Sequence, residues 1–272
     1  MPDISELSAP DFAPMAVDDF LSRAELYLKR SDVVLCRGKS TFSKLIRFAT
    51  KSQFSHAALV FLVPHRDLGF NNTFLIESVP TGVDVTDLRH YIKDHPDKYD
   101  VVIKRLTKPW FVDNAPKIVR GSMLDFIKAD YDFRAIWQIT KSIAKKMLFG
   151  FLVWRDGLEV RLAKTYDEAK PKAERKPQPA PGQFICSGFV QYGFLGGTRT
   201  LLDTAPGCGA VLDDVMFAEN VSPDAPYSKI LSTTPEDLAA TPKLEWCYVI
   251  RQGMVYRVHS TAEANALLDT AL

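Results

Sequence analysis

One cysteine of this chain stands where a nucleophile is favoured. Cys186 opens the string Cys-Ser-Gly-Phe-Val-Gln-Tyr, at the predicted start of an amphipathic helix. Unpaired N–H groups at a helix N-terminus favour negative charge, and the thiolate is the attacking form of cysteine. The alternative is a small buried hydrophobe, because free cysteine packs well. Ser187 and Gly188 are weak helix formers, and glycine permits close backbone approach, but the residues alone leave both interpretations open.

A candidate general base lies upstream. His56 immediately precedes the apolar run 57–63, which has the length of a strand. An imidazole at a strand end lies at the rim of a sheet, where a helix N-terminus can dock, and its near-neutral pKa suits proton transfer. A lone histidine beside an apolar run is more often a core or surface residue. The remaining histidines lie in loops or polar stretches, where we expect them to be solvated: His65, His90, His95 and His259.

Glu77 is the candidate third member. It ends the predicted strand 74–77, one strand after His56. Residues at adjacent ends of antiparallel strands lie within hydrogen-bond reach, so this carboxylate could orient the imidazole and stabilise its charged form. A strand-end glutamate that faces water is an equally reasonable interpretation.

The elements that must position these residues predict an α+β fold. Short loops separate most strands, which favours an antiparallel meander over alternating parallel units. The predicted strands are 33–36, 57–63, 74–77, 99–106, 244–251 and 254–258. The predicted helices are 17–30, one around 42–49, 115–128, most of 133–164, the cysteine helix and 261–268. We expect a flexible tail over 1–16 and one domain over 17–272, with a helical insert and Pro-rich loop at 134–182.

The cysteine string resembles the nucleophile signature of NlpC-type papain-like peptidases. In those proteins the cysteine precedes the histidine, and the reversed order here resembles the circularly permuted branch, the YiiX-like cysteine hydrolases. The resemblance covers 31–106, 120–133 and 183–240. It implies a permuted papain-like fold in which an antiparallel sheet packs against the cysteine helix. It also implies Cys186 as nucleophile, His56 as base and Glu77 as the orienting group.

The same resemblance implies further site and scaffold residues. A tyrosine that precedes the cysteine lines the oxyanion side of the site in this family. Tyr131 fits that position, although its distance from Cys186 along the chain is wider than expected, and Ser187 is assigned to the same side. Packing against the core is the alternative for Tyr131. Asp32 and the strand after it resemble the family's Gly-Asp-hydrophobic strand, with Ser31 in place of the glycine.

These expectations lead to a cysteine hydrolase that cleaves an amide or ester bond through a covalent acyl-thioester enzyme. Its substrate would be a peptide, an amide or an acyl lipid. One alternative is an acyltransferase or phospholipase of the lecithin retinol acyltransferase type. Another is a non-catalytic binding module of the same fold, which a buried Cys186, or a thiol beyond reach of His56, would indicate.

Composition restricts the remaining classes. A net charge of +1 gives no signal for nucleic-acid binding. The four cysteines form no CxxC pair, so we expect no zinc site, no disulfide framework and no cofactor. Neither a signal peptide nor a membrane span is predicted, so we expect a cytoplasmic protein, and export without a signal would leave the same sequence.

The insert has an apolar stripe at helical spacing between Ile136 and Trp154, with lysines beside it. One interpretation is a helix or lid that makes peripheral contact with a lipid surface. The favoured one is a helix buried against the domain or a second subunit. Specificity residues are expected in this segment.

Overall fold

The structure is a computed structural model of the chain. It describes residues 13–65, 69, 71–80, 82–124, 126, 130–131 and 183–269. The predicted helix 133–164 and the Pro-rich loop therefore lie outside the described residues, as does most of the predicted tail. The tail prediction is wrong at its end, because Met15 and Ala16 form a short strand that pairs with Val255 and Met254.

An eight-stranded sheet dominates the described part of the chain, and all of its neighbouring strands are antiparallel, as predicted. The strands are β1 Met15–Ala16, β2 Val33–Gly38, β3 His56–Leu62, β4 Phe74–Val79, β5 Gly82–Asp87, β6 Tyr99–Leu106, β9 Leu244–Arg251 and β10 Met254–Arg257. Their order across the sheet is β1-β10-β9-β6-β2-β3-β4-β5. Two short strands, β7 Asp130–Tyr131 and β8 Gln183–Phe184, form a separate parallel pair.

The helices connect these strands or flank the sheet. They are α1 Val17–Ser22, α2 Ala24–Tyr27, α3 Thr41–Thr50, α4 Arg89–Ile92, α5 Ala115–Leu124, α6 Cys186–Thr204, α7 Tyr227–Ile230, α8 Pro235–Ala240 and α9 Thr261–Asp269. A 3-10 turn spans Leu212–Val215. Together with the sheet, they agree with the predicted α+β class. No helix in the described ranges is long and apolar enough to cross a membrane.

The predicted continuous helix 17–30 is wrong. Arg23 has φ −130° and ψ 29°, which ends α1 and separates it from α2. Leu28 is already extended, so the helical path stops there. The apolar stripe is nevertheless buried, because Val17, Phe20 and Leu28 pack on the sheet in spite of the break.

Two cores cover opposite faces of the sheet. Along β3, Ala57 and Leu59 belong to the core that contains α5 and α6, whereas Ala58 and Val60 belong to the core that contains α1, α2 and α4. Side chains alternate between the faces of a strand, so a strand covered on both faces is apolar throughout. This explains the continuous apolar run after His56.

Glycines let α6 pack closely against α5. A Cβ on Gly197 would lie 2.4 Å from the Cα of Val119, and one on Gly193 would lie 2.5 Å from the Met123 side chain. The contact at position 197 is with backbone atoms, so this position requires glycine, whereas at position 193 the Met123 side chain would have to move. The helix that begins with Cys186 is thereby fixed against the rest of the molecule.

Candidate active site

The sheet opens at the start of β3. His56 is the first residue of that strand and pairs with Cys36 of β2. On the other edge, the pairing of β3 with β4 begins only at Ala58 and Glu77, so the amide of Ala57 lies outside that ladder. Helix α6 packs on β3 and β4 and brings its first residue to this point.

Cys186 occupies that opening. Its Sγ accepts hydrogen bonds from the backbone N–H groups of Ala57 and Ser187, and it is hydrogen-bonded to the side chain of His56. The N-cap residue Ile185 provides no side-chain cap to the helix. Donors in the first turn of α6 therefore remain for the sulfur or a substrate oxygen. The residue is 6% exposed.

Glu77 holds the far side of the imidazole. Its Oε2 lies 2.5 Å from Nε2 of His56 and accepts a hydrogen bond of 2.7 Å from the hydroxyl of Tyr91. The Thr86 side chain is a third hydrogen-bond partner of this carboxylate. Since Nε2 faces Glu77, the other ring nitrogen, Nδ1, is left for the sulfur of Cys186. The structure thus brings together the three residues that were predicted as nucleophile, base and orienting group.

The electrostatics of this cluster favour an ion pair. Burial alone would lower the pKa of His56, but the charge and hydrogen bond of Cys186, together with those of Glu77, raise it to about 10. Burial would raise the pKa of Cys186, yet the charge and hydrogen bond of His56 bring it below its ordinary value. Burial is likewise outweighed at Glu77, whose pKa His56, Thr86 and Tyr91 lower. The shifts of His56 and Cys186 both favour the pair of thiolate and imidazolium over the neutral thiol and imidazole.

Ser187 has a structural contact instead of a free hydroxyl. The residue is fully buried, and its Oγ donates to the carbonyl oxygen of Thr233 at 2.7 Å. A Cβ on Gly188 would lie 2.3 Å from the carbonyl oxygen of Leu231. The hydroxyl of Ser187 is therefore engaged in the fold, its backbone N–H is hydrogen-bonded to Cys186, and its substrate role stays a prediction.

The backbone of Tyr131 lies next to the strand that leads into the cysteine helix. It pairs in parallel with Phe184, two residues before Cys186. The wide gap between Tyr131 and Cys186 along the chain is thus closed at the level of the backbone. Its side chain lies outside the described residues, so its oxyanion role stays a prediction.

Several contacts of the site have no signal in the sequence. Tyr91 and Thr86 reach Glu77 from α4 and β5, and although both lie within the range 31–106 covered by the resemblance, no pattern singles either of them out. Gln191 lies within the cysteine string, but its amide donates to the carbonyl of Val215 and accepts from the N–H of Phe217. This glutamine therefore uses its amide to fix a loop to α6.

The other cysteines lack this environment. Cys36 lies opposite His56, but burial, then the negative charges of Glu77 and Cys186, raise its pKa well above the ordinary value. Burial raises the pKa of Cys247 to about 11. In the part of the chain that the structure describes, no cluster of three or more histidine, cysteine or acidic residues could hold a metal ion.

Comparison with known proteins gives no independent assignment. No protein-family model matches the sequence, and no curated protein matches it either. The resemblance to permuted NlpC-type hydrolases rests on the residues discussed above.

Proposed function

We propose that this chain is a cysteine hydrolase with a permuted papain-like fold, which cleaves an amide or ester through an acyl-thioester on Cys186. The observation that carries the proposal is the hydrogen-bonded series from Cys186 through His56 to Glu77. Each member has its pKa shifted toward the charged state. A thiolate poised beside an imidazolium is the resting state of papain-like nucleophiles.

The first half-reaction transfers the acyl group to the enzyme. The thiolate of Cys186 attacks the carbonyl carbon, and the carbonyl oxygen becomes an oxyanion. The backbone N–H of Cys186, at the start of α6, can stabilise that oxyanion, and Tyr131 is the predicted second donor. His56 gives its proton to the leaving amine or alkoxide as the bond to carbon breaks, which leaves a thioester and a neutral imidazole.

The second half-reaction regenerates the thiol. Neutral His56 takes a proton from water, and the hydroxide formed attacks the thioester carbonyl. Collapse of this intermediate releases a carboxylic acid and restores the thiolate beside the imidazolium. Glu77 keeps the imidazole oriented and stabilises its charged form throughout. If an alcohol or amine replaces water, the same steps describe an acyltransferase.

A feature of the scaffold supports the family assignment. Ser31 stands where the related proteins have glycine, and its φ is 70°, in the left-handed region that favours glycine. The next residue, Asp32, is buried and forms an ion pair with Arg105, in which Nε lies 2.7 Å from Oδ1. A left-handed turn followed by a buried aspartate fits the family's Gly-Asp-hydrophobic strand.

One observation favours the non-catalytic alternative. Cys186 is only 6% exposed, and a binding module of this fold would bury its thiol. Its hydrogen bond to His56 favours catalysis, because a purely structural thiol needs no shifted partner. Access of a reagent to the sulfur therefore separates the two functions.

The test is acylation by a thiol-directed acyl probe, followed by intact mass. The wild-type chain should gain one acyl group, and Cys186→Ala should gain none. Cys208→Ala is the matched control, because Cys208 is a partly exposed free thiol and should not change the result. Equal acylation of the Cys186→Ala variant would refute the assignment, and an unreactive wild-type chain would favour the binding module.

A further inference from the structure

Helix α3 presents an apolar stripe to solvent. Phe42, Leu45 and Phe48 are 56%, 40% and 59% exposed, and they follow one another at a spacing of three residues. Side chains at this spacing share one side of a helix. An amphipathic helix ordinarily turns such a stripe toward the core, so its exposure here requires an explanation.

The opposite side of α3 holds the helix on the domain. A Cβ on Gly38 would contact the Ser43 side chain at 2.3 Å, which shows how closely this side approaches β2. Ser40 caps the N-terminus by accepting a hydrogen bond from the N–H of Ser43 at 3.1 Å. The helix is therefore ordered by polar and backbone contacts, while its large apolar side chains remain free of the core.

Basic residues border the stripe. Lys44 and Lys51 are exposed, and Arg47 lies between them on the helix. The sequence from 33 to 66 contains no aspartate or glutamate. Helix α3 thus has the composition of an interfacial helix, with phenylalanine and leucine on one side and lysine beside them.

This helix also lies next to the candidate site. Only the segment 51–55 separates it from His56, and that segment is fixed to β2. The N–H of Ser55 donates to the carbonyl of Cys36 at 2.9 Å, and the N–H of Gly38 donates to the Ser55 hydroxyl at 3.1 Å. Whatever binds the stripe is therefore held close to the start of β3.

We propose that α3 docks the protein on an anionic lipid bilayer, with Phe42, Leu45 and Phe48 among the acyl chains and Lys44 and Lys51 at the phosphate groups. Charge complementarity selects this partner. Lysine is depleted in protein–protein interfaces, whereas at a membrane its ammonium group reaches the headgroups while its stem lies along apolar surface. The docking does not depend on the thiol chemistry. That the bilayer also holds an acyl-lipid substrate rests on the proposed function.

The test is sedimentation of the full chain with vesicles. One set contains phosphatidylcholine alone, and the other contains phosphatidylcholine mixed with phosphatidylglycerol. Wild type should sediment with the anionic vesicles, and added salt should weaken that binding. Phe42→Ser with Phe48→Ser should lower the partition coefficient by about tenfold or more, and Lys44→Gln by roughly fivefold.

Leu26→Ser is the matched control. Leu26 is 70% exposed but lies in α2, so its loss should leave binding unchanged. Wild type that fails to sediment with anionic vesicles would overturn the proposal. Equal binding by the double serine variant would also overturn it and would place the contact elsewhere, such as the insert 136–154. A dimer that becomes monomeric in that variant would show instead that a second copy covers the stripe.

Alkylation of Cys186 by iodoacetamide, measured on the same proteins, keeps the two proposals apart. The serine variants should react at the wild-type rate, because Phe42 and Phe48 are exposed on α3, whereas the thiol is buried at the start of α6. Loss of vesicle binding with intact thiol reactivity therefore tests α3 alone.

Discussion

Two of the buried charged groups on the sheet, Lys104 and His56, differ in their hydrogen-bond partners. Lys104 of β6 is fully buried, and its Nζ donates to the carbonyl oxygens of Leu238, Ala239 and Thr241 at the end of α8. The ring of Trp246 lies 4.6 Å from the same nitrogen. At the start of β3, His56 instead lies between a thiol and a carboxylate.

Those partners determine what each cluster can do. Burial lowers the pKa of Lys104 to about 8, and its donors end on backbone carbonyls, which cannot exchange a proton. His56 has its pKa raised to about 10 and its side chain is 18% exposed, so the imidazole can pass a proton to a substrate. A buried charge supports catalysis where its partners titrate and solvent reaches it, and otherwise it supports the fold.

The largest expected effect is that of His56→Gln. This change removes the imidazole that is hydrogen-bonded to Cys186 and lowers its pKa, and with it the acid that protonates the leaving group in the proposed mechanism. Acylation by an activated ester should slow by about a thousandfold, within the range for loss of general acid–base catalysis. Stopped-flow release of the leaving group measures the rate. His259→Gln, at an exposed position, is the control. A rate close to wild type would place the base elsewhere.

Lys104→Met should lower the stability of the fold and leave the acylation rate unchanged. Methionine has a similar length but no donor, so three buried carbonyl oxygens lose their partner. We expect the free energy of unfolding to fall by about 3 kcal/mol, because carbonyl oxygens in the interior are left without a donor. Urea denaturation measures this loss, and the acylation rate of the folded variant should remain unchanged. A slower reaction at full stability would show that the two clusters are coupled.

The sequence predicts the cluster around His56 better than the cluster around Lys104. Cys186, His56 and Glu77 each stand at the end of an element, and ends of elements converge at sheet rims. Lys104 lies within an apolar strand, and no local pattern reveals that its partners come from the distant helix α8. Tyr91 is hidden for the same reason, because its contact with Glu77 joins α4 to β4.

The strands show the same contrast between what a local sequence pattern predicts and what depends on distant partners. β5 was missed although Val83 and Val85 alternate with polar residues in its sequence, because the strand is short and follows a turn directly. β1 has only two residues, too few for any periodicity, and its position depends on pairing with β10. Long periodic elements are specified locally, whereas these edge strands depend on their partners.

Glu77→Gln tests the electrostatic difference between the clusters through pH. Glutamine keeps the shape but loses the charge that helps to raise the pKa of His56. The imidazolium should therefore deprotonate at a lower pH than in wild type, where its pKa is about 10. Alkylation of Cys186 as a function of pH should show this shift, because the thiolate is less stabilised once the imidazole is neutral. An unchanged profile would show that the charge of Glu77 does not affect the pKa of His56.

Glu77→Gln should also change how the free energy of unfolding depends on pH. The raised pKa of His56 stabilises the fold fully below its unfolded value of 6.5, and this contribution is lost as pH rises through about 10. The lowered pKa of Glu77 contributes above its unfolded value of 4.5 and is lost as pH falls through the folded value. Wild type should therefore exceed Glu77→Gln most between those unfolded values. Urea denaturation from below pH 4.5 to about pH 10 measures the difference, which should shrink toward both ends of that interval, and a difference that stays constant over the whole interval would contradict the assignment.

Tyr91→Phe should have the smallest effect. Its ring stays in place against His56, with centroids 6.1 Å apart, and only the hydroxyl that donates to Glu77 is removed. Loss of one buried hydrogen bond to a charged group should cost about 2 kcal/mol or less in the free energy of unfolding. The pH profile of Cys186 alkylation should move in the same direction as in Glu77→Gln, but by less. Tyr99→Phe is the control, since that ring contacts Tyr91 at 5.1 Å. Tyr91→Phe could instead shift the profile as far as Glu77→Gln does. That result would show that the phenol and the carboxylate act together in raising the pKa of the imidazole. No pair of titratable partners of this kind surrounds Lys104 in the described part of the chain.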